Sequence, residues 1–260
     1  MNSIKRIVVF GCSYATGEEL LYNELDDELI AVRSRVDPRE FFNLIESSVI
    51  YQEQYSDVIE RQYALAWPAK LATLMNVECV NLAESGNSMQ KMLWQFLNYR
   101  EHLTDTDLVI FSQTKPDRNV FFNDTPASFQ IASILGLIGV GKNGNASTVI
   151  DCDTDTAMLK WFTDDRIIWD DLMVLMSIGY FKNTYNLYIV PAMRASDYNL
   201  KEYNNMFYDT VKLLQSQLFL GSKTMDDFEG GDSLLWGHPT LEVHEQYADY
   251  LFKKLTGVGQ

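Results

Sequence analysis

At 260 residues and 29.9 kDa, with 47% hydrophobic and 13% aromatic residues, the chain can bury a substantial core, yet has no apolar run long enough to span a bilayer. A net charge of −15 and a pI near 4.5 give it no electrostatic footprint for a phosphate backbone, which excludes sequence-independent nucleic-acid binding. Its three cysteines, Cys12, Cys79 and Cys152, have no paired spacing, which argues against a disulfide framework or a thiolate zinc site and fits a reducing compartment.

The first residues lack the long apolar region and cleavage site of a secretory signal, so a cytoplasmic protein is expected. Ile4 to Phe10 reads as a β-rich run, Gly11 permits a sharp departure, and Gly17 loosens the turn that follows. This delivers Ser13 to a strand's carboxyl end, where open α/β sheets place their ligand chemistry. Two readings stay open. Ser13 is a nucleophile if a histidine reaches it, or it caps a helix whose acidic first turn is Glu18 and Glu19.

Leucines at 21, 25 and 29 recur at helical spacing, and Asp37-Pro38-Arg39-Glu40 carries an N-cap, an N1 proline and a capping-box glutamate, so a helix is expected from Pro38. Glu46 to Tyr63 gives no functional signal, and residues 26–63 are read as a helical insertion or lid near the first strand's exit. Trp67-Pro68 opens a helix with Leu71, Leu74 and Met75 on one face, and Val77 to Leu82 has strand character. Gly86-Asn87-Ser88 breaks the chain before Met89, Met92, Leu93, Phe96 and Leu97, an apolar stripe at helical spacing that predicts core. Asp107 to Phe111 is a third strand, followed by a polar turn from Ser112 to Pro116. Residues 123–155 look irregular and glycine-rich, and Thr156 to Phe181 helical. Tyr185 to Val190 is a fourth strand, and helices follow over Tyr203 to Leu218 and Tyr247 to Leu255. Strands alternating with helices predict an α/β fold: a single domain with a doubly wound parallel sheet flanked by helices.

Of the three histidines, His238 is the most suggestive, because Trp236-Gly237-His238-Pro239-Thr240 is a loop immediately before the last helix. His244 sits on that helix, and His102 follows a helix whose core stripe has ended, the position of a solvent-exposed residue.

Three blocks in this order resemble the SGNH, or GDSL-type, serine hydrolases, and most closely phage-encoded relatives of them. Gly11-Cys12-Ser13-Tyr14-Ala15-Thr16-Gly17 is similar to the first block, G-D-S-x-x-x-G, with Cys12 in place of aspartate. Asn81 to Asn87 is similar to the second, and Gly237-His238-Pro239 to the last. The resemblance implies a flavodoxin-like sheet, Ser13 as nucleophile, His238 as general base, and Gly86, with Asn87 beside it, on the oxyanion and substrate side. Two departures stand out. Where the third block has asparagine, this chain has Ser112-Gln113-Thr114-Lys115, leaving Thr114 or Gln113 as the side-chain donor. Three residues before the histidine, where the family places its acid, stands Leu235; the nearest upstream carboxylates are Asp232, Asp227 and Asp226, of which Asp232 is favoured.

Three further motifs read as decoys. Gly231-Asp232-Ser233-Leu234 does not follow a strand. Gly136 to Lys142 fits a phosphate loop, but Asn143 stands where Ser or Thr would hold magnesium. The alternating aspartates of Thr148 to Asp153 read as helix capping. The expected chemistry is therefore hydrolysis of an acyl ester, a small molecule or an O-acylated glycan, without metal or organic cofactor. The competing class is a non-catalytic binding or virion-associated protein with a degenerate triad, located in a host cytoplasm or virion. Nucleic acid and membrane are not expected partners, and the sequence leaves the oligomeric state open.

Overall fold

The computed structural model describes residues 3–33, 38–114, 118–122, 129–133, 164–192, 205–230, 234 and 237–258. Four strands form one parallel sheet: β1 (Arg6–Phe10), β2 (Glu78–Asn81), β3 (Asp107–Gln113) and β6 (Asn186–Pro191), in the order β2-β1-β3-β6. The central strands explain their own sequences. Ile7 to Phe10 and Leu108 to Phe111 are wholly buried, as strands covered on both faces must be, and so read as unbroken apolar runs rather than alternating ones. Arg6 binds Asp107 with two hydrogen bonds, Nε to Oδ1 at 2.9 Å and Nη2 to Oδ2 at 2.6 Å, fixing the register at the sheet's other end.

The chain passes from β1 to β2 in one direction and from β2 back over β1 to β3 in the other. Right-handed crossovers therefore put the helices preceding β2 and β3 on opposite faces. On one side, α5 (Trp67–Met75) lies on β1 and β2 and packs against α9 (Leu241–Thr256); on the other, α6 (Met89–Tyr99) lies on β1 and β3 and packs against α7 (Asp164–Lys182). The helix α8 (Asn205–Leu218) packs on α7 and β6. Phe10 stacks on Phe111 at 5.3 Å, and Phe96 of α6 meets both rings. The doubly wound parallel sheet expected from the sequence is the observed architecture.

After β1 comes the single turn α1 (Ser13–Thr16), then a short 3₁₀ turn and three helices, α2 (Asp27–Arg33), α3 (Pro38–Ser47) and α4 (Val49–Leu65). Tyr22, Leu25, Leu29, Phe41, Ile45 and Val58 form a second core of their own. Pro38 starts α3 as its N1 residue should. The helix α4 left no trace in the pattern because it buries only Val58 and Gln62 along seventeen residues, so no apolar stripe marks it.

Several boundaries differ from expectation. The third strand runs on to Gln113, since hydrogen bonding to β6 continues through Ser112 and Gln113 where a polar turn was expected. The buried side of α5 is Trp67, Pro68, Leu71 and Ala72, while Leu74 is 46% exposed. Antiparallel strands β4 (Arg118–Phe122) and β5 (Phe129–Ser133) form a separate hairpin, the second within the stretch read as irregular. The rest of 123–155 lies outside the described residues, and with it the phosphate-loop and aspartate motifs. Among the described residues no helix is long and apolar enough to cross a membrane.

His244 is wholly buried on α9 and accepts a hydrogen bond from the Trp67 N–H at the start of α5, 3.0 Å from its Nδ1. Burial, followed by the repulsion of His238 when that ring is protonated and of Lys70, pushes its pKa down to about 3 from the ordinary 6.5. The folded state thus keeps His244 neutral, whereas the unfolded chain protonates it below about 6.5. Its contribution to stability is complete above pH 6.5 and is lost as pH falls toward 3. Urea unfolding at pH 7.5 and at pH 5 should show wild type weakening relative to His244→Asn, whose amide oxygen keeps the acceptor, by up to about 1.4 kcal/mol per pH unit. Equal pH slopes would refute this account.

Candidate functional site

The strand β1 delivers its chain to the carboxyl edge of the sheet between β2 and β3, the switch point where the two crossovers diverge. Gly11 is required there by close approach: a Cβ would lie 2.6 Å from Ala15 Cβ, 3.0 Å from Ser112 Cβ and 3.3 Å from Ala83 Cβ. Cys12 is extended and takes the N-cap position, so Ser13 is the first residue of α1 rather than its cap. The helix stops after one turn at Gly17, which is left-handed at φ 72°. Ser13 is 3% exposed, and its carbonyl accepts from Thr16 Oγ1 at 2.9 Å and Glu18 N at 3.1 Å.

Because α1 ends so soon, Glu18 and Glu19 do not form a helical first turn; both are buried beside it. Glu19 adopts φ 74°, a left-handed conformation that costs a non-glycine residue roughly 1–3 kcal/mol and that clusters at functional sites. Its side chain is 0% exposed, and its Oε2 lies 2.8 Å from His238 Nδ1. With an ionised carboxylate as the acceptor, Nδ1 holds a proton, which leaves Nε2 as the basic nitrogen of a neutral ring.

The loop carrying His238 is tightly folded: Gly237, at φ 83°, donates to Leu234 O, and Leu234 N donates to His238 O. Tyr14 ties it to α1, donating from its hydroxyl to Gly237 O at 3.1 Å, with its ring 5.7 Å from the imidazole. The polar neighbour of Nε2 is Glu18, whose Oε2 is 3.6 Å away. No hydrogen bond joins Ser13 Oγ to either ring nitrogen among the described contacts.

The third segment is the loop from β2 to α6. Leu82 N donates to Val9 O, and Glu84 N to Gly11 O at 3.0 Å. Asn81 reaches across to Ala15 O at 2.7 Å. Asn87 is fully buried, and its amide donates to Gly11 O at 3.1 Å and Gln95 Oε1 at 2.9 Å, leaving neither amide hydrogen for a substrate. Gly86 stands at φ 72° with open space around its Cα. Ser85 Oγ donates to Glu18 Oε2.

At the end of β3, Thr114 is buried, and Gln113 borders a cavity of about 620 Å³ together with Pro191, Lys212, Phe219 and Asp227. His238 borders a smaller one of about 210 Å³ with Asp226, Met225, Phe228 and Thr240. Asp227 caps a 3₁₀ turn by accepting from Thr224 N and Oγ1. Asp232 and Ser233 lie outside the described residues. The structure thus brings the Ser13 turn, the Gly86 loop and the His238 loop to one edge. It also adds Glu18 and Glu19, which sequence reasoning assigned to a helix. The signal was Gly17, whose C-terminal stop leaves the two carboxylates off any helix.

No family model matches the chain, and no curated protein matches it in sequence. Among solved structures it is similar to a carbohydrate esterase with "divergent catalytic and non-catalytic binding functions", at 11% identity over 100% of this chain and 70% of that one, TM-score 0.49. It is also similar to a putative lipolytic protein of the G-D-S-L family from Desulfitobacterium hafniense DCB-2, at 11% identity over 96% and 99%, TM-score 0.42. A third is a catalytic mutant of Axe2, an acetylxylan esterase from Geobacillus stearothermophilus, at 8% identity over 98% and 96%, TM-score 0.40.

The crowding at Gly11 makes a direct prediction. All three neighbours are Cβ atoms fixed to backbone, so Gly11→Ala forces the β1 exit, β3 and the Gly86 loop apart and should cost about 1–3 kcal/mol. Denaturant unfolding measures this, and a change below about 0.5 kcal/mol, the range of an unconstrained surface site, would show the packing to be looser than described.

Proposed function

We propose that this chain hydrolyses acyl esters, with Ser13 as nucleophile, His238 as general base and Glu19 as the carboxylate that orients it. The observation that carries the reading is the 2.8 Å contact between His238 Nδ1 and a wholly buried Glu19 carboxylate, 219 residues away in sequence and six beyond Ser13. A histidine so held has its tautomer fixed and its Nε2 available to take a proton from the serine hydroxyl; the same carboxylate stabilises the imidazolium then formed. Ser13 Oγ attacks the ester carbonyl, the imidazolium gives its proton to the leaving alcohol, and water repeats the sequence to release the acid. As the first residue of α1, Ser13 has a backbone N–H with no acceptor within its helix; in this reading that N–H and the one of Gly86 bind the developing oxyanion. The contact of about 3 Å between Ser13 Oγ and Nε2 that this requires forms with substrate, as such contacts commonly tighten on binding.

The near-complete burial of Ser13, 3% exposed, leaves little room beside its hydroxyl, which favours a short acyl group such as acetyl. The cavity of about 620 Å³ at Gln113 sets Gln215, Ser216 and Asp227 beside Phe219 and Pro191, a mix of polar groups and apolar wall that suits a hydroxylated leaving group such as a glycan. A second reading, a binding or virion-associated protein that retains the fold without turnover, is favoured by the position of Glu18 opposite Nε2.

Two experiments separate these. A fluorophosphonate probe should label Ser13, and Ser13→Ala should abolish labelling with little change in Tm; no labelling under conditions that label a known serine hydrolase favours the binding protein. On an ester panel, acetate should be cleaved faster than octanoate. Glu19→Gln should lower kcat by between 10- and 10⁴-fold with KM nearly unchanged, while Asp232→Asn remains within a few-fold of wild type. The opposite ranking would transfer the orienting role to Asp232.

A further inference from the structure

Glu18 is not needed for the proposed proton transfers, yet it is a nearly buried carboxylate with three partners in three different segments. Its Oε2 accepts from Ser85 Oγ, the residue before Gly86. The same carboxylate lies 3.6 Å from His238 Nε2. Its Oε1 accepts from Tyr22 at 3.4 Å. Because a phenol has a single hydrogen, Tyr55 of α4 is then left to donate to Tyr22, 3.0 Å away. Burial, followed by the charge of Glu18, holds the Tyr22 phenol far above its usual pKa, so it serves as a donor throughout the working range of pH. Tyr22 and Tyr55 also belong to the second core formed by α2, α3 and α4. A second strut runs from α4 to the same loop, with Tyr63 OH 3.5 Å from Ala83 O.

We propose that Glu18 is a positioning residue through which the helical segment α2–α4 sets the geometry of the Gly86 loop and of His238, along the path Tyr55, Tyr22, Glu18 and then Ser85 and the imidazole. This rests on the hydrolase reading for its effect on rate, but not for its effect on structure. The chemistry is charge-assisted hydrogen bonding in a site nearly closed to water, where losing one member leaves the next without its partner. Seating of the helices is thereby transmitted to the loop that carries the Gly86 N–H.

The test uses Tyr55→Phe, which removes one hydroxyl and keeps the ring contacts to Phe41 and Tyr22, together with Glu18→Ala and the double variant. Two readouts are needed. Hydrogen exchange at the Glu84 and Asn87 amides, which now donate to Gly11 O and Glu84 O, should speed up about 3- to 10-fold in Tyr55→Phe and more in Glu18→Ala. On an acetyl ester, kcat should fall about 3- to 10-fold in Tyr55→Phe with KM unchanged. Adding Tyr55→Phe to Glu18→Ala should do nothing further, the mark of a shared path. Unchanged exchange at these amides in Tyr55→Phe, or effects of the two changes that multiply, overturns the proposal. Faster exchange in Tyr55→Phe, together with a wild type that cleaves no ester, upholds the positioning path and defeats the hydrolase reading instead.

Discussion

The site depends on how early the first helix stops. Gly11 lets α1 start hard against β3 and the Gly86 loop, and Gly17 ends it one turn later, so that three residues separate the serine from a reversal of the chain. A helix carried on at 100° per residue would have fanned Glu18 and Glu19 around its axis. Stopped at Gly17 and turned again by the left-handed backbone of Glu19, the chain instead presents both carboxylates to one imidazole. The serine turn and the carboxylates are thus a single local structure, and His238 is brought to it by the loop before the last helix.

Burying two carboxylates side by side is costly unless each is met by donors. Here Glu18 has Ser85 and Tyr22, Glu19 has His238, and the imidazole lies beside both carboxylates, where it can carry a compensating positive charge. In the proposed hydrolysis the ring becomes cationic during attack and then interacts with both neighbours at once. That is the sense in which a ground-state cost assists a transition state: the same charges stabilise the imidazolium more than the neutral ring.

The sheet was legible in the sequence because its central strands are buried on both faces, and Ile7 to Phe10 and Leu108 to Phe111 can be nothing but core. The turns carrying Ser13, Gly86 and His238 were legible because Gly11 follows a strand, Gly86 breaks the chain before a helix and Gly237 lies shortly before another. The helix α4 was not, since it touches its neighbours through Val58, Gln62 and a few tyrosine hydroxyls rather than through an apolar stripe. Nor were Glu18 and Glu19. A pair of acidic residues after a serine satisfies the local rule for a helix start, and only the tertiary position of His238, 219 residues on, reveals their partner. Short motifs report the backbone a catalytic group needs, whereas a long-range carboxylate–imidazole pair leaves no mark in spacing.

Two hydrophobic cores meet at this point. One encloses the sheet on both faces, and the other is assembled from Tyr22, Leu25, Leu29, Phe41, Ile45 and Val58. Their junction is polar: Tyr22 is a member of the second core by its ring and a partner of Glu18 by its hydroxyl. An apolar junction would have joined the two bodies with area alone, tolerant of small slides. A hydroxyl–carboxylate junction is directional, so the helices α2–α4 are held in one orientation relative to the serine turn. Where catalysis depends on placing donors to within a fraction of an ångström, that directionality is what a second core can contribute to the first.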